Sequence, residues 1–399
     1  MIPPGQATPA SRRAQRVRQI LAVLAAGIAA TAAVFGGSVL TSGDSSASEA
    51  TPRVLAIRST LERAGLRAAL DSLEAAAASD SSFLRDAHQL SHDLGRRAFM
   101  TGEDEGVIRE CRPAFASGCY HGVVEAFVNA SGEVSMPKQE RMCASAGTDQ
   151  RPGAVSECVH GLGHGVLGAL SLDLQRTLRY CDQLSTPARR HWCHSGAFME
   201  AVIAAQGNDS RRAGHESHSH GMHAGAGHAE HRLAIDPANP FSPCDAFADP
   251  HATACWAYQG YVILQRTNFD TPAAFAVCDT APEALAIRCY KSIGLQITGL
   301  FQRDDAWVIE QCGLGRAPLA QACAGGAASA RAGMDWSGDR AMRFCAATPS
   351  TWQATCYWSA GRVLASLATP TELDRLCANL DPVYTQACRD GVKDGQSAG

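Results

Sequence analysis

Residues 271–302 read TPAAFAVCDTAPEALAIRCYKSIGLQITGLFQ, and the prolines and cysteines of this segment are the clearest indication of the fold. Thr271-Pro272 begins a short helix that runs through Cys278, and the next four residues turn the chain. Apolar residues then recur at helical spacing from residue 283 onward. Because proline is favoured in the first turn of a helix and disfavoured further in, Pro282 marks the start of a second, longer helix. The stretch therefore predicts a helical hairpin.

The same pattern recurs along the chain. In five units a proline follows the first cysteine by four to six residues, at Pro187, Pro282, Pro318, Pro349 and Pro382. The first cysteines of the last five units lie at 244, 278, 312, 345 and 377, so the steps are 34, 34, 33 and 32 residues. That is the period of a two-helix repeat of the tetratricopeptide type. The sequence predicts an all-α solenoid of about eight αα-hairpins.

The sixteen cysteines fall into eight successive pairs, which are Cys111 and Cys119, Cys143 and Cys158, Cys181 and Cys193, Cys244 and Cys255, Cys278 and Cys289, Cys312 and Cys323, Cys345 and Cys356, and Cys377 and Cys388. An even number of cysteines fits an oxidising compartment, in which disulfides persist. The two cysteines of a pair flank a tight turn, so we expect a bond within each hairpin. The alternative joins the second cysteine of one unit to the first cysteine of the next.

This layout, over roughly residues 100–390, resembles secreted bacterial cysteine-rich proteins with Sel1-like, tetratricopeptide-like repeats. In that family too each helical hairpin carries one disulfide, although the cysteine spacing is shorter, as it is here only between Cys111 and Cys119. The resemblance implies a repeat fold. Because those proteins mostly bind partners, it also implies a protein or peptide partner on the concave face of the solenoid.

The N-terminus predicts export. Residues 20–40 carry no charge and are long enough to span a bilayer as an anchor. Cationic residues stay on the cytoplasmic side, so the main domain is expected outside; four precede this segment, at Arg12, Arg13, Arg16 and Arg18. The alternative is a cleaved signal peptide that ends at Ser48-Glu49-Ala50 and releases a secreted protein.

These features divide the chain into a cytoplasmic basic segment at 1–19, a transmembrane anchor or signal peptide at 20–40, a linker at 41–52 and the αα-repeat domain at 53–399. The net charge is -4 with histidine neutral, and no basic face is evident, so we expect no nucleic-acid partner.

Histidines and glutamates recur four residues apart in the first units. His88 and His92 form one such pair, and His121 and Glu125 form a second. Residues four apart share one helix face, and two such ligands grip one metal ion in helical zinc sites. Equivalent positions of successive hairpins line up along one surface of a solenoid. The predicted ligand set is His88, His92, His121, Glu125, His160, His164 and Glu200.

This stripe of ligands stops after the first units, as expected for a local site. The later units place Ala257, Lys291, Gly325, Trp358 and Asp390 at the position that His121 occupies. Histidine and carboxylate ligands suit Fe, Zn, Cu or Mn in a mononuclear or dinuclear site. The arrangement is similar in architecture to deoxyhypusine hydroxylase, whose helical repeats hold a di-iron centre. The alternatives are a structural polar network and metal-free acid–base chemistry.

A second histidine group lies in an insertion at about 207–240, between Cys193 and Cys244. Residues 213–231 read AGHESHSHGMHAGAGHAEH and are predicted to be disordered. This tract is either a weak binder of Zn, Cu or Ni or an inert flexible loop; its histidines are His215, His218, His220, His223, His228 and His231.

The sequence thus favours an exported helical-repeat protein with a transition-metal site. If the protein is an enzyme, redox chemistry and metal-assisted hydrolysis are both open. The alternative function is a partner-binding scaffold in which the histidines are structural. The sequence identifies no catalytic residue and no organic cofactor.

Overall fold

The computed structural model describes residues 43–102, 105–147, 152–205, 233–301 and 303–398. All regular secondary structure in these ranges is helical, which confirms the predicted all-α class. Short 3-10 helices lie at Glu105–Glu110 and Cys244–Ala246. The α-helices are α1 Gly43–Ser79, α2 Ser81–Gly102, α3 Gly118–Ala130, α4 Met136–Ala146, α5 Pro152–Ala169, α6 Leu174–Cys181, α7 Pro187–Ala205, α8 His251–Arg266, α9 Thr271–Cys278, α10 Glu283–Phe301, α11 Asp305–Gly313, α12 Ala317–Asp335, α13 Asp339–Ala347, α14 Ser350–Leu364, α15 Pro370–Ala378 and α16 Pro382–Ala398.

The helices pair into hairpins, which we number 1 to 8 after the cysteine pairs in chain order. Residues 271–301 form α9 and α10, as predicted for the stretch that includes them. The Asp270 side chain caps α9 by accepting a hydrogen bond from the Ala273 amide at 2.8 Å. In hairpins 1 and 4 a 3-10 helix takes the place of the short α-helix. Helices α1 and α2 precede hairpin 1, and α1 is kinked at Gly65, where φ is 85°.

Each hairpin carries its own disulfide, with Cα–Cα distances from 5.3 to 5.6 Å. This confirms pairing within hairpins, and the alternative between neighbouring units is wrong. The geometric reason is the turn, which returns the chain to the distance that a disulfide requires. The disulfides indicate an oxidising environment. In chain order the bonds join Cys111 to Cys119, Cys143 to Cys158, Cys181 to Cys193, Cys244 to Cys255, Cys278 to Cys289, Cys312 to Cys323, Cys345 to Cys356, and Cys377 to Cys388.

The long second helices of successive hairpins stack side by side. Their contact faces are rich in small residues, and Ala324, Ala327 and Ala328 of α12 are fully buried. Larger side chains fill the space inside each hairpin, as where Phe275 and Tyr290 stack with ring centroids 4.3 Å apart. The disulfides and these aromatic contacts compensate for the thin, alanine-rich layer between neighbouring helices.

The solenoid curves until its early and late hairpins touch. The Ser156 hydroxyl in α5 donates to the Ser366 carbonyl oxygen at 2.8 Å, and the Gly153 amide donates to the Leu367 carbonyl oxygen at 3.2 Å. The indole N–H of Trp192 in α7 donates to the Ser366 hydroxyl at 3.1 Å. These contacts join hairpins 2 and 3 to the segment between hairpins 7 and 8.

Two predicted segments lie outside the described residues: 20–40, the anchor or signal peptide, and 213–231, the histidine tract. Helix α1 begins at Gly43, within the predicted linker at 41–52. The last part of the insertion, 233–240, is described; it has no regular secondary structure and includes a turn. Within the described ranges, no helix combines the length and the apolar character needed to cross a bilayer.

Candidate metal centre

Four stacked helices position the predicted ligands. Helix α2 carries His88 and His92, α3 carries His121 and Glu125, α5 carries His160 and His164, and α7 carries Glu200. The helices approach closely because glycines lie between them. A Cβ atom at Gly161 of α5 would lie 3.1 Å from the Cα atom of His121 in α3. A larger residue at position 161 would therefore hold the two histidine-bearing helices apart.

Three histidines from two neighbouring helices form the centre of the group. His121, His160 and His164 each offer a ring nitrogen, and these atoms lie within 4.8 Å of one another. The ring centroid of His121 lies 5.1 Å from that of His160 and 4.7 Å from that of His164. Nε2 of His160 lies 3.2 Å from Nε2 of His164. We call these three residues the histidine core.

The spacing of 3.2 Å between two imidazole nitrogens has two chemical interpretations. Two neutral rings make one N–H···N hydrogen bond at this distance. A tetrahedral ion with bonds of about 2.0–2.1 Å separates its ligand atoms by about 3.3–3.4 Å. His160 and His164 therefore need only a small side-chain adjustment to hold one ion. Because the ligand atoms of all three residues are only within 4.8 Å of one another, His121 needs a larger adjustment to join them.

A histidine–carboxylate pair lies on each side of the core. Nε2 of His92 is 3.2 Å from Oε2 of Glu125, and Nδ1 of His164 is 3.3 Å from Oε2 of Glu200. The predicted Glu200 contact thus forms although its position is displaced by one residue in the repeat register. The His92–Glu125 pair is the more exposed of the two, with side chains 20% and 30% exposed.

His88 lies near the core but not within it. Its Nδ1 is 2.8 Å from the Phe115 carbonyl oxygen, so this nitrogen donates and Nε2 keeps the lone pair. Its ring centroid lies 5.5 Å from that of His121, and the ring centroid of His92 lies 6.5 Å from that of His121. The structure therefore groups His121, His160 and His164, and His88 and His92 lie outside this group.

Burial favours the neutral form of four histidines of this group, which are His88, His92, His121 and His160. It lowers the pKa values of His121 and His160 well below the usual 6.5, and neighbouring histidines lower them further. Burial followed by the charge of His88 lowers the pKa of His92 to about 3. Burial also lowers the pKa of His88, although its bond to Phe115 opposes this. A neutral imidazole is the form that binds metal.

Two ring nitrogens of the core lack hydrogen-bond partners. Nε2 of His121 and Nδ1 of His160 are buried and have no partner within the part of the chain that the structure describes. A buried polar atom without a partner costs about 1–3 kcal/mol. An ion or an ordered water bound at these atoms would satisfy them.

The structure also brings together a group that the sequence did not predict, formed by Asp182, His194 and His251. Asp182 and His194 each directly follow a cysteine of the hairpin 3 disulfide, and this was the available signal. His251 begins α8 in the next hairpin and has no such marker in the sequence.

The fold and these side chains define an all-α, disulfide-stapled repeat protein with histidine groups that suit a metal ion. No family model, no curated protein and no solved structure matches the chain. The function is therefore inferred from the chemistry of the site.

Proposed function

We propose that this is an exported helical-repeat protein that binds a transition-metal ion through His121, His160 and His164. The observation that carries the proposal is the 3.2 Å contact between the Nε2 atoms of His160 and His164, with the His121 ring beside both. Imidazole ligands with nearby carboxylates suit Fe, Zn, Cu or Mn. The main domain is proposed to lie outside the cytoplasmic membrane, either anchored by residues 20–40 or secreted.

A metal ion explains the core better than a polar network does. In a network, every ring N–H needs an acceptor and every lone pair needs a donor. Nε2 of His121 and Nδ1 of His160 have neither within the described ranges. A bound ion uses an imidazole lone pair without a donor, so it would satisfy at least one of these atoms.

The carboxylates have different proposed roles. With Nε2 of His164 on the ion, its Nδ1–H donates to Glu200, which fixes the tautomer and the ring orientation. The His92–Glu125 pair is more exposed and extends the site toward a second ion or a substrate. If the protein is an enzyme, we propose Glu125 as the proton acceptor in metal-assisted hydrolysis, with redox chemistry as the alternative reaction.

The test is the metal content of the full chain, purified without a His tag and with the six tract histidines replaced by glutamine. We expect His121→Gln and His160→Gln each to remove one equivalent of transition metal, measured by mass spectrometry. The matched control is His191→Gln in α7, a histidine outside the histidine core, which should leave the metal content unchanged.

Circular dichroism checks that each variant folds, since His121, His160 and His191 each lie within a helix. Unchanged metal content in both core variants, together with no effect of EDTA on thermal unfolding of the parent, would contradict the proposal. That result would favour the alternative of a scaffold that binds a protein or peptide partner on the concave face, as the Sel1-like resemblance suggests.

A further inference from the structure

A second cluster of metal-ligating side chains lies at the junction between hairpins 3 and 4. Asp182 is the C-cap residue of α6, His194 lies in α7 and His251 is the first residue of α8. Asp182 directly follows Cys181, and His194 directly follows Cys193. The disulfide between these cysteines, whose Cα atoms are 5.5 Å apart, therefore holds Asp182 and His194 near each other. The cluster shares no residue with the histidine core or with its carboxylate pairs.

The three side chains converge on one point. Oδ1 of Asp182 lies 2.8 Å from Nε2 of His194 and 3.5 Å from Nε2 of His251. The two imidazole rings are perpendicular, with centroids 4.5 Å apart. The distances bracket the separation of about 3.3–3.4 Å between ligand atoms on a tetrahedral ion. The two contacts of Asp182 therefore need only small shifts to hold an ion, and the ligand atoms of all three residues lie within 4.8 Å of one another.

The burial of the cluster suits a site with an open position. The His194 side chain is fully buried, whereas those of Asp182 and His251 are 45% and 27% exposed. Solvent thus reaches one side of the cluster, where water completes a four-coordinate shell around three protein ligands. Burial, followed by the charge of His251, lowers the pKa of His194 to about 4 although Asp182 opposes this, so the ring is neutral at pH 7.

The repeat contains an internal comparison for this cluster. In hairpin 5, Asp279 and Tyr290 also directly follow the two cysteines, and the Tyr290 hydroxyl lies 3.1 Å from Oδ1 of Asp279. Arg316, at the start of the next long helix, donates from Nε to the same oxygen at 3.2 Å. There the aspartate accepts a hydrogen bond from Tyr290 within its own hairpin and forms an ion pair with Arg316 of the next hairpin.

Hairpin 3 has the same arrangement with different chemistry. His194 occupies the position of Tyr290, and His251 lies at the start of the next long helix, as Arg316 does. In hairpin 5, a tyrosine and an arginine hold the aspartate in place, so this structural role does not require two histidines. Tyrosine and arginine ligate zinc poorly at neutral pH, whereas the histidines at the corresponding positions of hairpins 3 and 4 ligate it well.

We propose that Asp182, His194 and His251 bind a divalent transition-metal ion of the zinc type, which joins hairpin 3 to hairpin 4. The chain between α7 and α8 runs from residue 206 to residue 250, so the ion provides a short cross-link between helices that are distant in sequence. A metal that binds only the folded state stabilises it.

The test uses the full chain with the six tract histidines replaced by glutamine and with His160→Gln, so that neither the tract nor the histidine core contributes. The probe is Zn²⁺, titrated calorimetrically into chelator-treated protein. We expect one equivalent to bind and to raise the thermal unfolding temperature. His251→Arg, which copies the pairing of Arg316 with Asp279, and Asp182→Asn each remove a direct ligand. Each should weaken binding by more than the roughly 10-fold that loss of an outer-shell partner costs at least.

Asp279→Asn in hairpin 5 is the matched control, because it removes the equivalent aspartate from the non-ligating cluster. It should leave the Zn²⁺ affinity unchanged even if it lowers stability. Both test substitutions are at partly exposed positions, and circular dichroism verifies their folding. The proposal is overturned if the parent binds no Zn²⁺, or if His251→Arg and Asp182→Asn bind it as tightly as the parent. Neither result depends on whether the histidine core binds metal, since that core is disabled in every sample.

Discussion

Gly122 of α3 lies against the carbonyl oxygen of His92 in α2, so closely that a Cβ atom at position 122 would lie 1.9 Å from that oxygen. This approach places Glu125, three residues further along α3, within 3.2 Å of Nε2 of His92. The glycine lowers the helix propensity of α3, but it allows two ligand-bearing helices to pack backbone against backbone. The separation of these helices, and with it the geometry of the site, depends on the absence of a side chain here.

Gly122→Ala should therefore force α2 and α3 apart. We expect a loss of about 1–3 kcal/mol in the free energy of unfolding, as is typical of overpacking, and a lower metal content because His121 and Glu125 move with α3. Urea unfolding and metal analysis measure the two effects. Gly333→Ala in α12 is the control, since a Cβ atom there meets nothing within 4 Å. Equal stability of the two variants would show that the close contact does not constrain the helices.

Removing one disulfide should lower the free energy of unfolding by an amount that depends on the length of the loop the disulfide closes. Cys278 and Cys289 are fully buried and separated by 11 residues in sequence. The double variant with Cys278→Ala and Cys289→Ala should lose about 3 kcal/mol of unfolding free energy in the chain-entropy model. Alanine avoids placing a hydroxyl group in an apolar core. Urea denaturation gives the difference, and a loss below about 0.5 kcal/mol would contradict the stabilising role that we assign to the bridge.

The fold was predictable because its determinants are local. The cysteine pairs flank turns, and prolines such as Pro187 and Pro382 mark the starts of helices, so each hairpin is specified within its own segment. The contacts of Ser156 and Trp192 with Ser366 were not predictable. They depend on the accumulated curvature of the whole solenoid, which no single repeat specifies.

The site was predictable only in part. The spacing of four residues and the repeat register predicted that His121, His160 and His164 lie close together, and the structure brings them together. Whether they ligate metal stays a prediction. No sequence pattern marks His251, because that residue reaches Asp182 across an insertion and from the start of a different helix.

Glu200 should strengthen metal binding by orienting His164. Its Oε2 atom lies 3.3 Å from Nδ1 of His164, and carboxylates that orient a ligating histidine in this way are worth about 10–100-fold in metal affinity. Glu200→Gln should lower the affinity by that factor, and His164→Gln should lower it further. Competition with a chelator of known affinity measures both, in chains without the tract histidines. Equal losses in the two variants would instead indicate that Glu200 is itself a ligand.

Metal binding by the histidine core should resist acid. Protons displace metal from imidazole ligands near the histidine pKa, which is ordinarily about 6.5. Burial lowers the pKa values of His121 and His160 well below that value, so their lone pairs remain free as the pH falls from 7 to 5. Metal retained after dialysis at each pH measures this, with the tract histidines replaced and Asp182→Asn present. Release centred near pH 6.5 would show that the core titrates like exposed histidine.

Glu157 should make the stability of the metal-free protein depend on pH. Its carboxyl is buried in α5 where hairpins 1, 2 and 6 meet, and burial raises its pKa to about 7, although Ser117 and Trp336 oppose this. The folded state therefore binds a proton more tightly than the unfolded chain, whose carboxyl has an ordinary pKa of 4.5. The resulting contribution to stability is fully present below about pH 4.5 and is lost as the pH rises through about 7.

Replacing this carboxyl with an amide should remove that dependence. Glu157→Gln and the parent should have similar unfolding free energies at pH 4, and the variant should be more stable by up to about 3 kcal/mol at pH 8. Urea denaturation of chelator-treated protein at a series of pH values gives both curves, and their difference isolates Glu157 from the buried histidines. The control is Glu283→Gln at the exposed start of α10. A Glu157→Gln curve that stays parallel to the parent from pH 4 to pH 8 would mean that the buried carboxyl keeps its charge in the folded protein.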